Sequence, residues 1–158
     1  MKKETTKSAV IFGCDELAYN AIIRNRMRHT ITNLISDENV TNFYFTRYNK
    51  FDMFYWENIH NLQQFFPKIT KTLVLEKTNM QCEPKNYPNV PFKQYENFAY
   101  VYTQNYNLEK EKYIRSLKAI DESDFVIFTA TIINGNLTYN QPEFGYANKL
   151  NKKIIVII

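Results

Sequence analysis

Phe125-Val126-Ile127-Phe128-Thr129 is a run whose only polar member stands at its end. A continuous apolar run of this length is typical of a strand that is buried on both faces of a parallel sheet. Four more strand-like runs occupy residues 8–12, 42–45, 70–75 and 153–158. Because helical patterns separate most of these runs, we predict parallel pairing through helical crossovers. The predicted fold is an α/β three-layer sandwich around a central, mostly parallel sheet of about five strands.

Amphipathic stretches account for the segments between the strands. The spacing of apolar residues predicts helices over residues 17–36, 51–65, 108–122 and 142–151. Residues 76–97 break the pattern with three prolines in a polar stretch, and they predict a long surface loop. An aromatic cluster follows, made of Tyr95, Phe98, Tyr100, Tyr102 and Tyr106. Its alternation indicates an extra strand or a packed cover; stacking on a base and formation of a homodimer are the alternatives.

Length and composition exclude several classes of protein. The 158 residues fit one domain, 1–158, and a hydrophobic fraction of 44% favours a folded core over a disordered chain. Only three glycines are present, too few in any one place for a GxGxxG dinucleotide loop or a GxxxxGKS/T phosphate loop. A net charge of +4 permits an anionic ligand, but we do not expect nucleic acid as a partner.

Signals for localisation and metal binding are sparse. Cys14 and Cys82 lie far apart without a CxxC spacing, so we expect free thiols in a reducing cytoplasm. No run reaches the roughly 20 apolar residues of a transmembrane helix, and we expect no membrane contact. His29 and His60 lack metal-ligand spacing, so we expect no metal and no other cofactor. Basic residues around Arg24 are interpreted as a solvated helix face.

The winding of the predicted sheet gives a position for a ligand site. We expect the strands at 8–12 and 125–129 to be neighbours in the centre of the sheet. Open parallel sheets bind ligands at the carboxyl ends of the strands, where the winding direction reverses. The candidate pocket is therefore formed by residues 13–15, 46–52, 129–140 and 142–145.

Short segments close to these strand ends resemble a known family. The segments are Phe12-Gly13-Cys14-Asp15, Arg47-Tyr48-Asn49-Lys50-Phe51-Asp52, Phe66-Pro67-Lys68-Ile69, Ile114-Arg115-Ser116, Glu122-Ser123-Asp124-Phe125 and Gln141-Pro142-Glu143-Phe144-Gly145. Over nearly its full length the chain resembles the SLOG superfamily, in particular its short bacterial YpsA-like branch, whose relatives include the LOG phosphoribohydrolases and DprA. The resemblance implies a Rossmann-like fold and a nucleotide-type ligand.

Carried onto this sequence, the resemblance implies a set of ligand-binding positions. They are Gly13, Cys14, Asp15, Arg47, Lys50, Asp52, Arg115 and Gly145. Cys14-Asp15 stands where the family has His-Arg, and Arg47-Tyr48-Asn49-Lys50 replaces a glycine-rich loop. Because glycine-rich turns allow backbone N–H groups to approach phosphate oxygens, these replacements predict an altered pocket.

Six of these eight residues also have a simpler structural interpretation. Asp15 and Asp52 stand at helix starts, where aspartate is favoured as a cap. Cys14 suits a small buried apolar position. The arginines and Lys50 carry charges that are usually solvated.

The last quarter of the chain is similar to a second family, the nucleoside 2-deoxyribosyltransferases. The similarity consists of Ser123-Asp124 and, further on, Glu143-Phe144-Gly145-Tyr146-Ala147. In that family the glutamate of an E-x-G-x-A segment attacks the C1′ atom of the sugar, which implies catalytic roles for Glu143 and Asp124. The alternative is structural, since Asn140 and Glu143 have the spacing of a capping box.

Three functions follow as hypotheses. The first is binding of a nucleotide- or nucleoside-related small molecule by a sensor or accessory protein. The second is an enzyme, an N-glycosidic bond hydrolase or a nucleoside transferase with Glu143 as nucleophile. The third is a protein-interaction module that has lost its ligand, which the glycine shortage and the tyrosine-rich surface would explain.

Overall fold

The computed structural model describes residues 5–13, 21–46, 50–77, 94–102, 113–138 and 141–158. Within them, one all-parallel sheet contains β1 (Lys7–Phe12), β2 (Val40–Phe45), β3 (Thr70–Lys77), β4 (Asn97–Tyr102), β5 (Phe125–Thr129) and β8 (Lys153–Ile157). The other described elements are helices α1 (Ala21–Glu38), α2 (Lys50–Gln63), α3 (Ile114–Glu122) and α4 (Gln141–Lys149), and a hairpin of β6 (Thr131–Ile133) and β7 (Asn136–Thr138). The predicted α/β, Rossmann-like three-layer sandwich is confirmed, with six strands in place of about five.

The order of the strands places the winding reversal at the centre of the sheet. That order is β4-β3-β2-β1-β5-β8, so β1 lies between β2 and β5. Ala9 to Phe12 of β1 pair in parallel register with Phe125 to Phe128 of β5, which confirms the predicted central pair. The chain first builds outward from β1 to β4 and then returns to the other side of β1.

Alternate side chains of the central strands separate two helical layers. Ala9 and Ile11 belong to the apolar core that includes residues of α1 and α2, whereas Val10 and Phe12 belong to the core shared with α3 and α4. All the residues of β5 are buried. A strand with helices on both faces is buried on both faces, and this explains why residues 125–128 are all apolar.

Two helix ends differ from those that the apolar patterns predict: α1 ends two residues later, at Glu38, and α4 two residues earlier, at Lys149. α1 and α4 are each followed closely by an asparagine with positive φ, 56° at Asn39 and 55° at Asn151. After α4, the N–H of Asn151 bonds the carbonyl of Asn148, and that of Lys152 bonds Ala147. These bonds satisfy the last helical carbonyls, so the predicted continuation to residue 151 does not form.

A short hairpin follows the central strand β5. β6 and β7 are antiparallel, with Ile133 opposite Asn136. Asn134 and Gly135 at its tip have φ values of 50° and 79°, and two consecutive positive values are what a type I′ turn requires. The two strands of this hairpin are not among the elements predicted from the sequence. The hairpin lies between the end of β5 and the start of α4, within the part of the chain that supplies two of the four predicted pocket segments.

At the amino edge of the sheet, the Lys71 side chain of β3 is buried. We call Lys71 and the side chains that contact it the Lys71 anchor. The Lys71 side chain is 3% exposed, and its Nζ donates to Gln63 Oε1 at 2.5 Å and Glu96 Oε1 at 3.3 Å. Burial lowers the pKa of Lys71, against the opposing charge of Glu96. The Trp56 ring centroid lies 5.0 Å from the same ammonium. This network ties α2 and β3 to the residues that lead into β4, the strand indicated by the aromatic alternation.

Candidate functional site

The candidate site lies along the carboxyl edge of the sheet, where β1, β2 and β5 end side by side. Gly13 directly follows β1, Thr46 directly follows β2, and Thr129 is the last residue of β5. The first turns of α2 and α4 contribute Asp52 and Glu143. Four of these residues have side chains that can accept hydrogen bonds, and all five belong to the pocket segments predicted from the sequence.

Those four polar residues are buried. Thr46 is 3% exposed, Asp52 7%, and Thr129 and Glu143 1% each. Burying a carboxylate or a hydroxyl costs free energy unless hydrogen bonds or helix dipoles compensate it. A first helical turn supplies part of that compensation to Asp52 and Glu143, because its free N–H groups favour negative charge. The arrangement therefore combines two acidic groups and two hydroxyls at one edge.

Thr129 is the most informative of these residues. Its Oγ1 atom is buried and finds no hydrogen-bond partner among the residues that the structure describes. Thr72, by contrast, is a buried threonine whose Oγ1 lies 2.6 Å from Asn42 Oδ1. An unsatisfied buried hydroxyl costs about 1–3 kcal/mol, which a ligand that bonds it would remove. Sequence reasoning did not single out Thr129, although a hydroxyl that ends an apolar central strand was visible.

Gly13 is required by the packing of Phe51. A Cβ atom placed on Gly13 would lie 2.2 Å from two ring carbons of Phe51, far inside van der Waals contact. Phe51 is 1% exposed. Its ring thus fills the space beside the end of β1. The sequence predicts Gly13 as a ligand-facing residue; the structure shows a close contact with an aromatic ring, which no pattern in the sequence indicated.

Tyr55 lies close to Asp52 and was also missed. Its ring stacks on Phe45, with centroids 4.0 Å apart and planes 15° apart. The hydroxyl is buried and finds no hydrogen-bond partner in the described residues. Burial raises the pKa of Tyr55 well above its ordinary value, and the negative charge of Asp52 raises it further. Tyr55 therefore remains a neutral hydroxyl in the field of a carboxylate. The i, i+3 spacing of Asp52 and Tyr55 was the available signal.

Asp124 lies at the opposite edge of the sheet. Its Oδ2 accepts the N–H of Ser8 at 2.9 Å, and its own N–H donates to the Ser8 carbonyl at 2.9 Å. Strand β5 separates Asp124 from the carboxyl edge, a distance of roughly 16 Å at the usual rise per residue. The structure does not bring Asp124 and Glu143 together, and Asp124 instead joins the starts of β1 and β5.

The remaining predicted positions are scattered or outside the described residues. Arg115, in the first turn of α3, pairs with Glu76 near the end of β3, with Nε and Oε1 3.6 Å apart. Gly145 is exposed on α4, and a Cβ there would meet nothing within 4 Å. Lys50 begins α2, but its side chain is not described. Cys14, Asp15 and Arg47 lie outside the described residues.

The described residues contain neither a helix able to span a membrane nor a group of side chains arranged to bind a metal ion. Among the described helices, none has the length and apolar character needed to cross a bilayer. The described part of the chain also holds no group of three histidine, cysteine, aspartate or glutamate residues arranged to bind a metal ion.

Neither the protein families nor the curated proteins identify a relative of this chain. No protein-family model matches this sequence, and none of the curated proteins compared with it is significantly similar. The chemistry of the carboxyl edge is therefore the basis on which a function can be argued.

Proposed function

We propose that the protein binds a nucleoside- or nucleotide-related small molecule at the carboxyl edge of its sheet, as a cytoplasmic sensor or accessory protein. The observation that carries this proposal is the buried Thr129 hydroxyl without a partner in the described residues, at the strand end where the winding reverses. Ligands of open parallel sheets occupy this place in general.

The buried acidic residues suggest which part of the ligand they contact. In dinucleotide-binding sheets a carboxylate accepts hydrogen bonds from ribose hydroxyls. Asp52 and Glu143 supply two such carboxylates, and the Thr129 hydroxyl can both donate and accept. A phosphate next to two buried negative charges would be repelled. We therefore assign the sugar of the ligand to this edge and leave any phosphate outside it.

Calorimetric titration with a small ligand panel tests this proposal. Adenosine, guanosine, cytidine, their monophosphates and NAD would be titrated into the wild type and into Thr129→Val. We expect saturable binding by at least one nucleoside-containing compound and a loss of about tenfold in Thr129→Val, equivalent to one hydrogen bond.

Thr72→Val is the matched control, since it removes a buried hydroxyl from a strand outside the site. It should leave the dissociation constant unchanged. Absence of binding by the whole panel would contradict the proposal. It would favour the interaction module without a ligand, which the close packing of Phe51 on Gly13 also supports.

Glu143 supports a second candidate function, hydrolysis or transfer at an N-glycosidic bond. It is almost fully buried in the first turn of α4 at the carboxyl edge. A carboxylate there can attack the anomeric carbon as the base departs, with water or a second base then taking the sugar. Asp124 takes no part in this candidate function because it lies at the other edge.

Release of free base from nucleosides and nucleoside monophosphates is the assay for this second candidate. Glu143→Gln should abolish release while it keeps the volume of the side chain. Glu122→Gln is the matched control, because Glu122 is an exposed residue paired with Lys118 on α3. Equal activity in Glu143→Gln and wild type would remove Glu143 from the mechanism.

A further inference from the structure

A groove at the amino edge of the sheet lies far from the carboxyl edge. It has a volume of about 320 Å³ and is formed where β1, β5 and β8 begin. Its lining residues are Lys7, Asp124, Phe125, Leu150, Asn151, Lys152 and Lys153. The volume corresponds to the lower end of the range for small-molecule pockets, about 300–1,000 Å³.

Two lysines of the groove share one aromatic ring. The ammonium of Lys7 lies 5.7 Å and that of Lys153 5.2 Å from the centroid of the Phe125 ring. A ring face attracts a cation, so Phe125 helps to hold two like charges close to one another. Phe125 is itself buried, which fixes the ring in place.

Few of the described acidic residues lie at this groove, and both Glu38 and Asp124 already have partners. Lys7 pairs with Glu38 at 3.0 Å, and Asp124 accepts the backbone N–H of Ser8. The pKa of Glu38 is lowered by a hydrogen bond and charge from Lys7, with a further contribution from Lys153. Lys153 makes no ion pair with the residues that the structure describes. Its ammonium is therefore the group best able to turn towards a ligand.

We propose that this groove binds a small anion carrying two or more negative charges, of the pyrophosphate class. Lys153 and Lys7 contact the anion, Glu38 competes with it for both ammonium groups, and Lys152 shapes the wall. Lys152 is held there because its Nζ donates to the carbonyl of Asp121 at 3.1 Å. The site is independent of the proposed function, which concerns the opposite edge of the sheet.

Pyrophosphate is the probe, titrated at low ionic strength and followed by calorimetry and amide NMR shifts. We expect saturable binding, with the largest shifts at Ser8 and residues 151–154. Lys153→Ala should weaken binding about fivefold, and Glu38→Gln should tighten it about threefold, as exposed charge interactions allow.

Two control variants separate a site from general attraction to a basic protein. Lys149→Ala removes the same charge from the exposed end of α4, outside the lining, and Asp37→Asn removes an exposed acidic charge adjacent to Glu38. Both should leave the affinity within about twofold of wild type. Absence of saturable binding would overturn the proposal. So would Lys149→Ala weakening binding as much as Lys153→Ala, or Asp37→Asn tightening it as much as Glu38→Gln.

Discussion

The two edges of the parallel sheet differ in the burial and the charge of their side chains. At the carboxyl edge, Asp52, Thr129 and Glu143 are buried, and Phe51 packs against Gly13 with no room for one more carbon atom. At the amino edge, the Lys7 side chain keeps partial contact with solvent and pairs with Glu38. The Lys71 anchor is the buried exception at that edge.

This difference bears on how much the polar groups of each edge contribute to stability. At the carboxyl edge the buried Thr129 hydroxyl has no hydrogen-bond partner in the described residues, so a valine of the same shape would replace it at little cost. The charges of the amino edge are partly solvated and contribute little individually. We therefore expect substitutions at the carboxyl edge to have the larger effects, in either direction.

The largest effect is expected for Gly13→Ala. The added Cβ would overlap the buried Phe51 ring, and overpacking of a core typically costs about 1–3 kcal/mol, with the upper value expected here. Urea unfolding measures it. In a Phe51→Leu background the cost should fall, because the smaller side chain can move aside. An unchanged cost in that background would mean that the strain does not come from Phe51.

The second-largest effect is expected at two buried threonines, whose substitutions should change the free energy of unfolding in opposite directions. Thr129→Val should raise the free energy of unfolding by up to about 1 kcal/mol, since the hydroxyl has no partner in the described residues. Thr72→Val should lower it by about 1 kcal/mol, because it leaves the Asn42 Oδ1 atom with one bond fewer. Thermal unfolding of both variants measures these two changes in stability. Destabilisation of equal size in the two would show that Thr129 is satisfied after all.

Gly145→Ala tests the remaining pocket glycine. Nothing lies within 4 Å of a Cβ at this helical position, so the substitution should stabilise the protein by about 0.8–1 kcal/mol through helix propensity alone. Denaturant midpoints check this value. If the stabilised variant also loses ligand binding, Gly145 is retained for the site; unchanged binding would exclude that role.

The smallest effect on stability is expected for removing the Glu96 charge from the Lys71 anchor, and this effect should depend on pH. Burial raises the pKa of Glu96, but hydrogen bonds from Gln63 and the Lys71 backbone and the charge of Lys71 outweigh it, and the net pKa is lowered. A lowered carboxyl pKa stabilises the fold above the ordinary value near 4.3, and this stability is lost as pH falls through the folded value.

Glu96→Gln should therefore cost at most about 1 kcal/mol at pH 7, since Glu96 is 39% exposed and its charge is screened. The difference from wild type should shrink as pH falls below about 4.3, which urea unfolding at a series of pH values would show. Glu122→Gln, which breaks an exposed i, i+4 pair, is the control and should cost about 0.3–0.5 kcal/mol. A Glu96→Gln penalty that does not depend on pH would contradict the assignment.

Local sequence patterns predicted most of the fold because the buried central strands consist almost entirely of apolar residues. The run at 125–129 is apolar up to Thr129 at its end, and it is buried throughout. The hairpin strands β6 and β7 were missed because three residues each are too few for a periodicity to emerge. Helix ends shifted where asparagines took left-handed conformations, which depends on backbone bonds formed only after folding.

The candidate site was less predictable for a different reason. The position of Asp124 followed from the chain itself, since a residue just before a parallel strand must lie at its amino end, and the family-based pairing with Glu143 ignored this. The contact between Gly13 and Phe51 joins residues nearly forty positions apart. No local pattern encodes such a contact, because it depends on how α2 settles on the sheet.

The strand order has a consequence for how this protein is made. Among the described strands β1 is synthesised first, and β2, the next strand in the chain, pairs along one of its sides. The partner of its other side, β5, follows more than a hundred residues later. At typical synthesis rates of about 5–20 residues per second, this side stays open for roughly ten seconds. During that interval the nascent chain presents an apolar strand whose backbone groups are unpaired along one side.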